Sequence, residues 1–186
     1  GLPVFMINNH RVDSVEDAAA YVSRLKDAER VMHEIAAELR QRAAAGVISP
    51  HFVFEPSVAN TRNIITGAPF DGGADNPVWA DFQKKVAALE ADEATKARLL
   101  AEGRAALTGE WKRGYEHVLE ALAEVQAQAE AMPDRDAGVW RLPDGEAYYN
   151  ARLRLSTTTD LTADQIHDIG LREVERIHGE MQAIMD

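Results

Sequence analysis

The six histidines, His10, His33, His51, His117, His167 and His178, together with 31 acidic residues and no cysteine, set the terms for any chemistry in this chain. Without thiols there is no disulfide scaffold, no Cys-ligated zinc or iron–sulfur site and no thiol nucleophile, so a metal would have to be held by imidazole and carboxylate. A zinc peptidase helix needs His at i and i+4, so that both imidazoles leave one face, and Glu at i+1 to activate the metal-bound water. His33-Glu34-Ile35-Ala36-Ala37 opens that pattern and fails at Ala37. Glu175-Arg176-Ile177-His178 has the Glu-x-x-His spacing of di-iron bundles, and Asp164-Gln165-Ile166-His167 is a weaker echo of it. Such bundles need two motifs on facing helices. Here both motifs fall on one predicted helix, and eleven steps of about 1.5 Å put His167 and His178 roughly 16 Å apart. No metal ligand and no catalytic residue is assigned in this chain.

Tyr148 and Tyr149 follow Asp144-Gly145-Glu146 and are candidates for lining a cleft, because a phenol offers a polar tip on a rigid apolar body. Neighbouring helical positions diverge by about 100 degrees, so at most one of the two packs inward and one is free. The serines form no Gly-x-Ser-x-Gly elbow, and Gly67, Gly72 and Gly73 lack the spacing and the following Lys-Ser/Thr of a phosphate loop.

The elements that must position these residues are helices. Alanine occurs 31 times in 186 residues, and Ala enters a helix at the least cost. Ser14 with Asp17 has the spacing of a capping box, and Val15, Ala18, Ala19, Val22 and Leu25 predict a helix over residues 15–26. Ala28, Val31, Met32, Ile35 and Leu39 predict a second, ending at Ala45 with Gly46 at C′ and Pro50 beyond. A third is predicted over Pro50 to Thr66, with Pro56 in its first turns. Asp71 to Pro77 reads as a loop, followed by a helix with Trp79, Phe82, Val86 and Leu89 on one face. Asp92 to Ala131 is a long helix or a helix pair, with a bend or break near Gly109, ended by Pro133. Asp134 to Gly145 is expected as a structured loop that packs Trp140 and Leu142 down. Glu146 to Ser156 is a short helix, and Thr162 with Gln165 caps a last one whose inward stripe is Ile166, Gly170, Val174, Ile177, Met181 and Ile184.

Twenty Lys and Arg against 31 Asp and Glu give a net charge of −11, with both signs interspersed. Nucleic-acid binding needs a basic stripe, and only isolated pairs such as Lys84-Lys85 and Lys112-Arg113 are present. No apolar run approaches the roughly 20 residues of a membrane-spanning helix. The chain starts Gly1-Leu2-Pro3 without Met, and its last stripe is still running at Asp186, so it reads as a piece of a longer parent.

Three stretches carry a family resemblance: Gly138-Val139-Trp140-Arg141-Leu142-Pro143-Asp144-Gly145-Glu146-Ala147-Tyr148-Tyr149, Thr158-Thr159-Asp160-Leu161-Thr162, and Ile166-His167-Asp168-Ile169-Gly170-Leu171-Arg172-Glu173-Val174. Together they resemble a bacterial family known as domain of unknown function 885. Asp17-Ala18 with Tyr21, Arg24 and Leu25, and the helix end at Gly46 before Pro50, look like that family's upstream part. The resemblance is specific over residues 138–181. It implies a long helical chain similar to gluzincin-type zinc peptidases, whose metal-binding helix lies downstream of this block. Zinc is then expected in the parent and no cofactor in this chain. Tyr148, Tyr149, His167 and Gly170 match recurrent family positions, implying cleft-lining or helix-packing roles. Family members are often exported, which favours a periplasmic or secreted parent.

The combined expectation is an all-α chain of six or seven helices in an irregular bundle, residues 1–186 forming a single helical domain or a fragment of a larger peptidase-like fold. Its expected role is scaffold and cleft wall of a zinc-dependent peptidase, inactive alone, with the rest of the parent and a peptide substrate as partners, and with neither nucleic acid nor a membrane span. The alternative is a stand-alone helical binding module whose last helix docks a partner.

Overall fold

A computed structural model describes residues 1–133 and 137–186; the expected loop from Asp134 to Gly145 begins in the three residues outside that description. The chain forms two compact units, Gly1–Asp134 and Arg135–Asp186. It is all-α, with no strand among the described residues.

The first unit contains α1 (Leu2–Asn8), α2 (Val15–Ala44), a 3₁₀ turn at His51–Val53, α3 (Phe54–Asn63), α4 (Pro77–Ala87), α5 (Glu93–Ala106), a π turn at Leu107–Trp111 and α6 (Lys112–Ala129). The second contains a 3₁₀ turn at Val139–Arg141, α7 (Gly145–Thr157) and α8 (Ala163–Met185). Counting α5, the π turn and α6 as one continuous bent helix gives seven among the described residues.

Helix α2 corrects the expected pair over 15–26 and 28–45: it is one helix of 30 residues. No Gly or Pro interrupts residues 14–45. Asp27, which could have capped a new helix, instead accepts from the Arg30 guanidinium at 2.9 Å. Its ends are as expected. Ser14 Oγ accepts from Asp17 N at 3.1 Å. At the other end Gly46 has φ 79°, with Gly46 N donating to Ala43 O and Val47 N to Arg42 O, the double closure of a Schellman motif.

The core of this unit is α2 against α6. Helix α2 buries Tyr21, Leu25, Ala28 and Met32, with Val22 beside them, and α6 buries Tyr115, Val118, Leu122 and Val125, the two rows running at three- and four-residue steps. Gly114 lets the two backbones meet, since a Cβ there would lie 2.9 Å from Glu29 Cα and 3.2 Å from Ala28 O. The expected bend near Gly109 is the π turn. It adds one residue to the helical repeat and so rotates the apolar face of α6 relative to that of α5. Two cross-helix guanidinium–carboxylate pairs flank the seam, Arg113 with Glu29 and Arg40 with Glu124.

The expected third helix is shorter than Pro50 to Thr66, with Pro56 in the first turn of α3 where its missing N–H costs no hydrogen bond. Helix α4 starts with Pro77 at N1, and the buried Asn76 accepts from Val78 N at 3.0 Å while its amide donates to Ile64 O and Thr66 O. One side chain thereby fastens the preceding loop to the helix start.

In the second unit Thr162 and Gln165 form the expected capping box, with Gln165 N donating to Thr162 Oγ1 at 3.3 Å and Thr162 N to Gln165 Oε1 at 2.9 Å. The stripe of α8 expected to face inward is not buried: no residue of α8 is, and Val174, Ile177, Met181 and Ile184 are all exposed. Trp140 likewise departs from the expectation of a loop packed down, being 71% exposed.

Candidate functional site

The second unit builds an aromatic cleft from a short sequence. Leu142 precedes Pro143 and is extended, ψ 149°, as a residue before proline prefers. Asp144 then turns in the left-handed region, φ 54°, and α7 begins at Gly145, whose N–H donates to Leu142 O at 3.0 Å. A Cβ at Gly145 would lie 2.2 Å from Val139 O. Only glycine allows the 3₁₀ turn to rest on the first turn of α7, and that contact places Trp140. The indole lies over Gly138, where a Cβ would meet the ring at 1.8 Å. Its other face is open.

Glu146 and Tyr149, three residues apart, share one face of α7 and complete the lining with Val139, Trp140 and Gly145 around about 590 Å³. The Glu146 carboxylate makes no hydrogen bond or ion pair among the described residues. Two aromatic rings and a carboxylate thus line one cavity.

Of the residues singled out from sequence, the cleft takes Tyr149 alone, 45% exposed. Tyr148 leaves α7 about 100 degrees away, 55% exposed, on the face that carries Leu155. His167 is exposed on α8, and a Cβ at Gly170 would meet nothing within 4 Å. Trp140 and Glu146 were not singled out. The signal for them was local: an indole bracketed by Gly138 and Gly145, and an acid one turn before Tyr149.

The first unit holds two polar clusters. His10, 5% exposed, lies under α2, its ring 4.9 Å from that of Tyr21. Arg24 Nη1 lies 2.6 Å from His10 Nδ1, and His10 Nε2 lies 3.2 Å from Asp17 O. Because a guanidinium can only donate, Nδ1 accepts and Nε2–H donates to the carbonyl. Burial first, and then Arg24, hold this histidine below its ordinary pKa, so it is neutral. Tyr21 donates to Asp81 at 3.3 Å, and burial pushes its phenol pKa up. Lys85 pairs with Asp81 at 2.7 Å and donates to Met6 O and Ile7 O, both at 3.0 Å, at the end of α1. The network ties α1, α2 and α4 together. Asp17, Tyr21, Arg24 and Leu25, the upstream residues of the family resemblance, all belong to it or to the core beside it.

The second cluster is an open groove of about 500 Å³ lined by Lys26, Asp27, Glu29, Arg30, His33 and His117. The two imidazoles meet edge to face at 5.6 Å. Glu34, the acid of the half-formed His-Glu pattern, accepts from Arg30 at 2.8 Å instead. Among the described residues no three His, Asp or Glu side chains are grouped to hold a metal ion.

The described residues place the chain in the all-α class, with one buried helical core in the first unit and an aromatic cleft in the second. Within that class the chain belongs to the family described as bacterial protein of unknown function (DUF885), whose model matches residues 1–186. Among solved structures it is similar to "the putative lipoprotein from Colwellia psychrerythraea", with a TM-score of 0.83 at 22% identity over 97% of this chain and 30% of that one. That likeness shows the fold, and this chain spans under a third of that protein's length. The search of curated proteins returned no match.

Proposed function

We propose that this chain is a scaffold and cleft-wall segment of a zinc-dependent peptidase, whose metal ligands and general base are supplied by other parts of a longer parent. The observation that carries the reading is the uncovered apolar surface of the second unit. Helix α8 presents Val174, Ile177, Met181 and Ile184 along one exposed stripe, and the Trp140–Tyr149 cleft opens in the same unit. An apolar stripe of that length fits against further protein, and an aromatic cleft fits a bound chain. The match to 30% of a longer relative supports a parent of greater length, and the description of that relative as a lipoprotein supports export.

The test compares the protein encoded by the complete gene with this 186-residue chain on a fluorogenic peptide library. The full-length protein is expected to hydrolyse peptides, to lose activity to a chelator and to regain it with zinc, while the chain alone is inactive. A full-length protein that cleaves no peptide ends the reading. The exposed stripe of α8 also favours a second one, a helical module that docks a partner protein. In that case the chain alone binds the partner, and Ile177→Asp abolishes binding while full-length protein shows no peptidase activity.

A further inference from the structure

We propose that the Trp140–Glu146–Tyr149 cleft recognises a cationic side chain of a peptide, arginine ahead of lysine. The lining joins two features that separately mean little. The first is a pair of aromatic rings, each with an exposed face, from two elements locked together by the Gly145–Val139 contact. The second is a carboxylate, Glu146, on the same face of α7 as Tyr149 and with no partner among the described residues. A ring face is the negative end of the aromatic quadrupole and attracts cations within about 6 Å of its centroid. A planar guanidinium can stack on the indole and still present its N–H edge to a carboxylate in a two-bond fork, which a lysine ammonium cannot do.

Charge supports the same occupant. Among the described residues that line the cleft, Glu146 carries the one formal charge, and it is negative. Asp144 at the N-cap and Glu146 in the first turn of α7 bring two carboxylates to this helix end, which outweighs the partial positive charge of about half a unit at a helix N-terminus. The volume of about 590 Å³ accommodates a side chain together with its flanking backbone. As a substrate subsite the cleft rests on the peptidase reading above. As a guanidinium site it stands on its own geometry.

The chain supplies its own reporter. Trp79 and Trp111 are buried, so collisional quenching of tryptophan fluorescence by acrylamide selects Trp140. N-acetyl-arginine amide is titrated into the 186-residue chain, with N-acetyl-citrulline amide as the neutral isostere. Arginine amide is expected to shield Trp140 saturably, with citrulline amide at least about tenfold weaker, and Glu146→Gln is expected to erase that difference. Tyr149→Leu should weaken arginine binding with the far-ultraviolet circular dichroism unchanged, which separates lost recognition from lost folding. Equal shielding by both amides, or none by either at millimolar concentration, overturns the proposal. Arginine binding in a protein whose full-length form cleaves no peptide would remove the peptidase reading alone. Peptide cleavage by a full-length protein whose isolated chain ignores arginine amide would remove this inference alone.

Discussion

Helices α6 and α8 are equally amphipathic, yet α6 buries seven residues and α8 buries none. The tryptophans repeat the contrast, with Trp111 fully buried beside α6 and Trp140 open to solvent in the second unit. In the first unit the main apolar faces meet: α6 lies on α2, and Phe82 of α4 stacks on Tyr21 at 4.8 Å. In the second, α7 meets the small Val139–Arg141 turn, and α8 keeps its stripe uncovered. An apolar face makes a helix able to pack, but a facing surface of matching shape decides whether it does. The first unit thus closes a core on itself, whereas the second leaves an apolar helix face exposed.

The sharpest way to break this contrast is to truncate both tryptophans. Trp111→Ala should cost about 3–5 kcal/mol of the first unit's stability, the range for a large aromatic removed from a core. Trp140→Ala should cost within about 0.5 kcal/mol, as a surface change does. Hydrogen exchange of the α2 and α6 amides measures both, and a Trp140 effect as large as that of Trp111 would refute the division. Next in size is Gly114→Ala, which forces a methyl against the α2 backbone and should destabilise the same amides by about 1–3 kcal/mol. No such sensitivity is expected at Gly170, where Gly170→Ala has open space and should raise α8 helicity.

Smaller again is Thr162→Ala, which removes the capping box of α8 and should cost about 1 kcal/mol of helix stability, seen as faster exchange confined to its first turn. The smallest expected effect is a slope with pH. His10 is held below its ordinary value of 6.5, so the unfolded chain takes up a proton first. Its contribution is complete above that value and is lost as pH falls from it towards the lower pKa of the folded state. The groups facing it are Arg24 and Asp17 of α2 and Lys85 of α4. Lowering pH from 7.5 to 5 should therefore lower the melting temperature, and His10→Gln should flatten that slope. An unchanged slope would show that the network does not depend on a neutral imidazole.

Much of the fold was legible because its signals are local. Ser14 with Asp17, Gly46, and Thr162 with Gln165 each satisfy backbone groups within a few residues of themselves. The bend near Gly109 followed from glycines inside a long apolar repeat. The expected division of α2 into helices over 15–26 and 28–45 failed because nothing between them interrupts the helix, and Asp27 pairs locally with Arg30. The site was less legible. Tyr148 and Tyr149 looked equivalent as neighbours, and only the seating of the 3₁₀ turn on Gly145 distinguishes Tyr149, which faces Trp140 across a cavity, from Tyr148, which does not. Glu146 stands in the stretch next to which a cleft was expected, but its place in the lining depends on where the Val139–Arg141 turn sits, which its neighbours in sequence do not state.

The sequence by itself determined the helical class, most of the helix ends, the absence of thiol chemistry and the kinship with the DUF885 family. Tertiary structure alone decided that the histidines and acids gather no metal set among the described residues, that His10 sits neutral beneath Arg24, and that Trp140, Glu146 and Tyr149 share one cavity. The reason is one of range. Capping and periodicity are settled by hydrogen bonds and side-chain spacing within about one or two helical turns, whereas burial, ionisation and a binding surface depend on which other segment stands opposite.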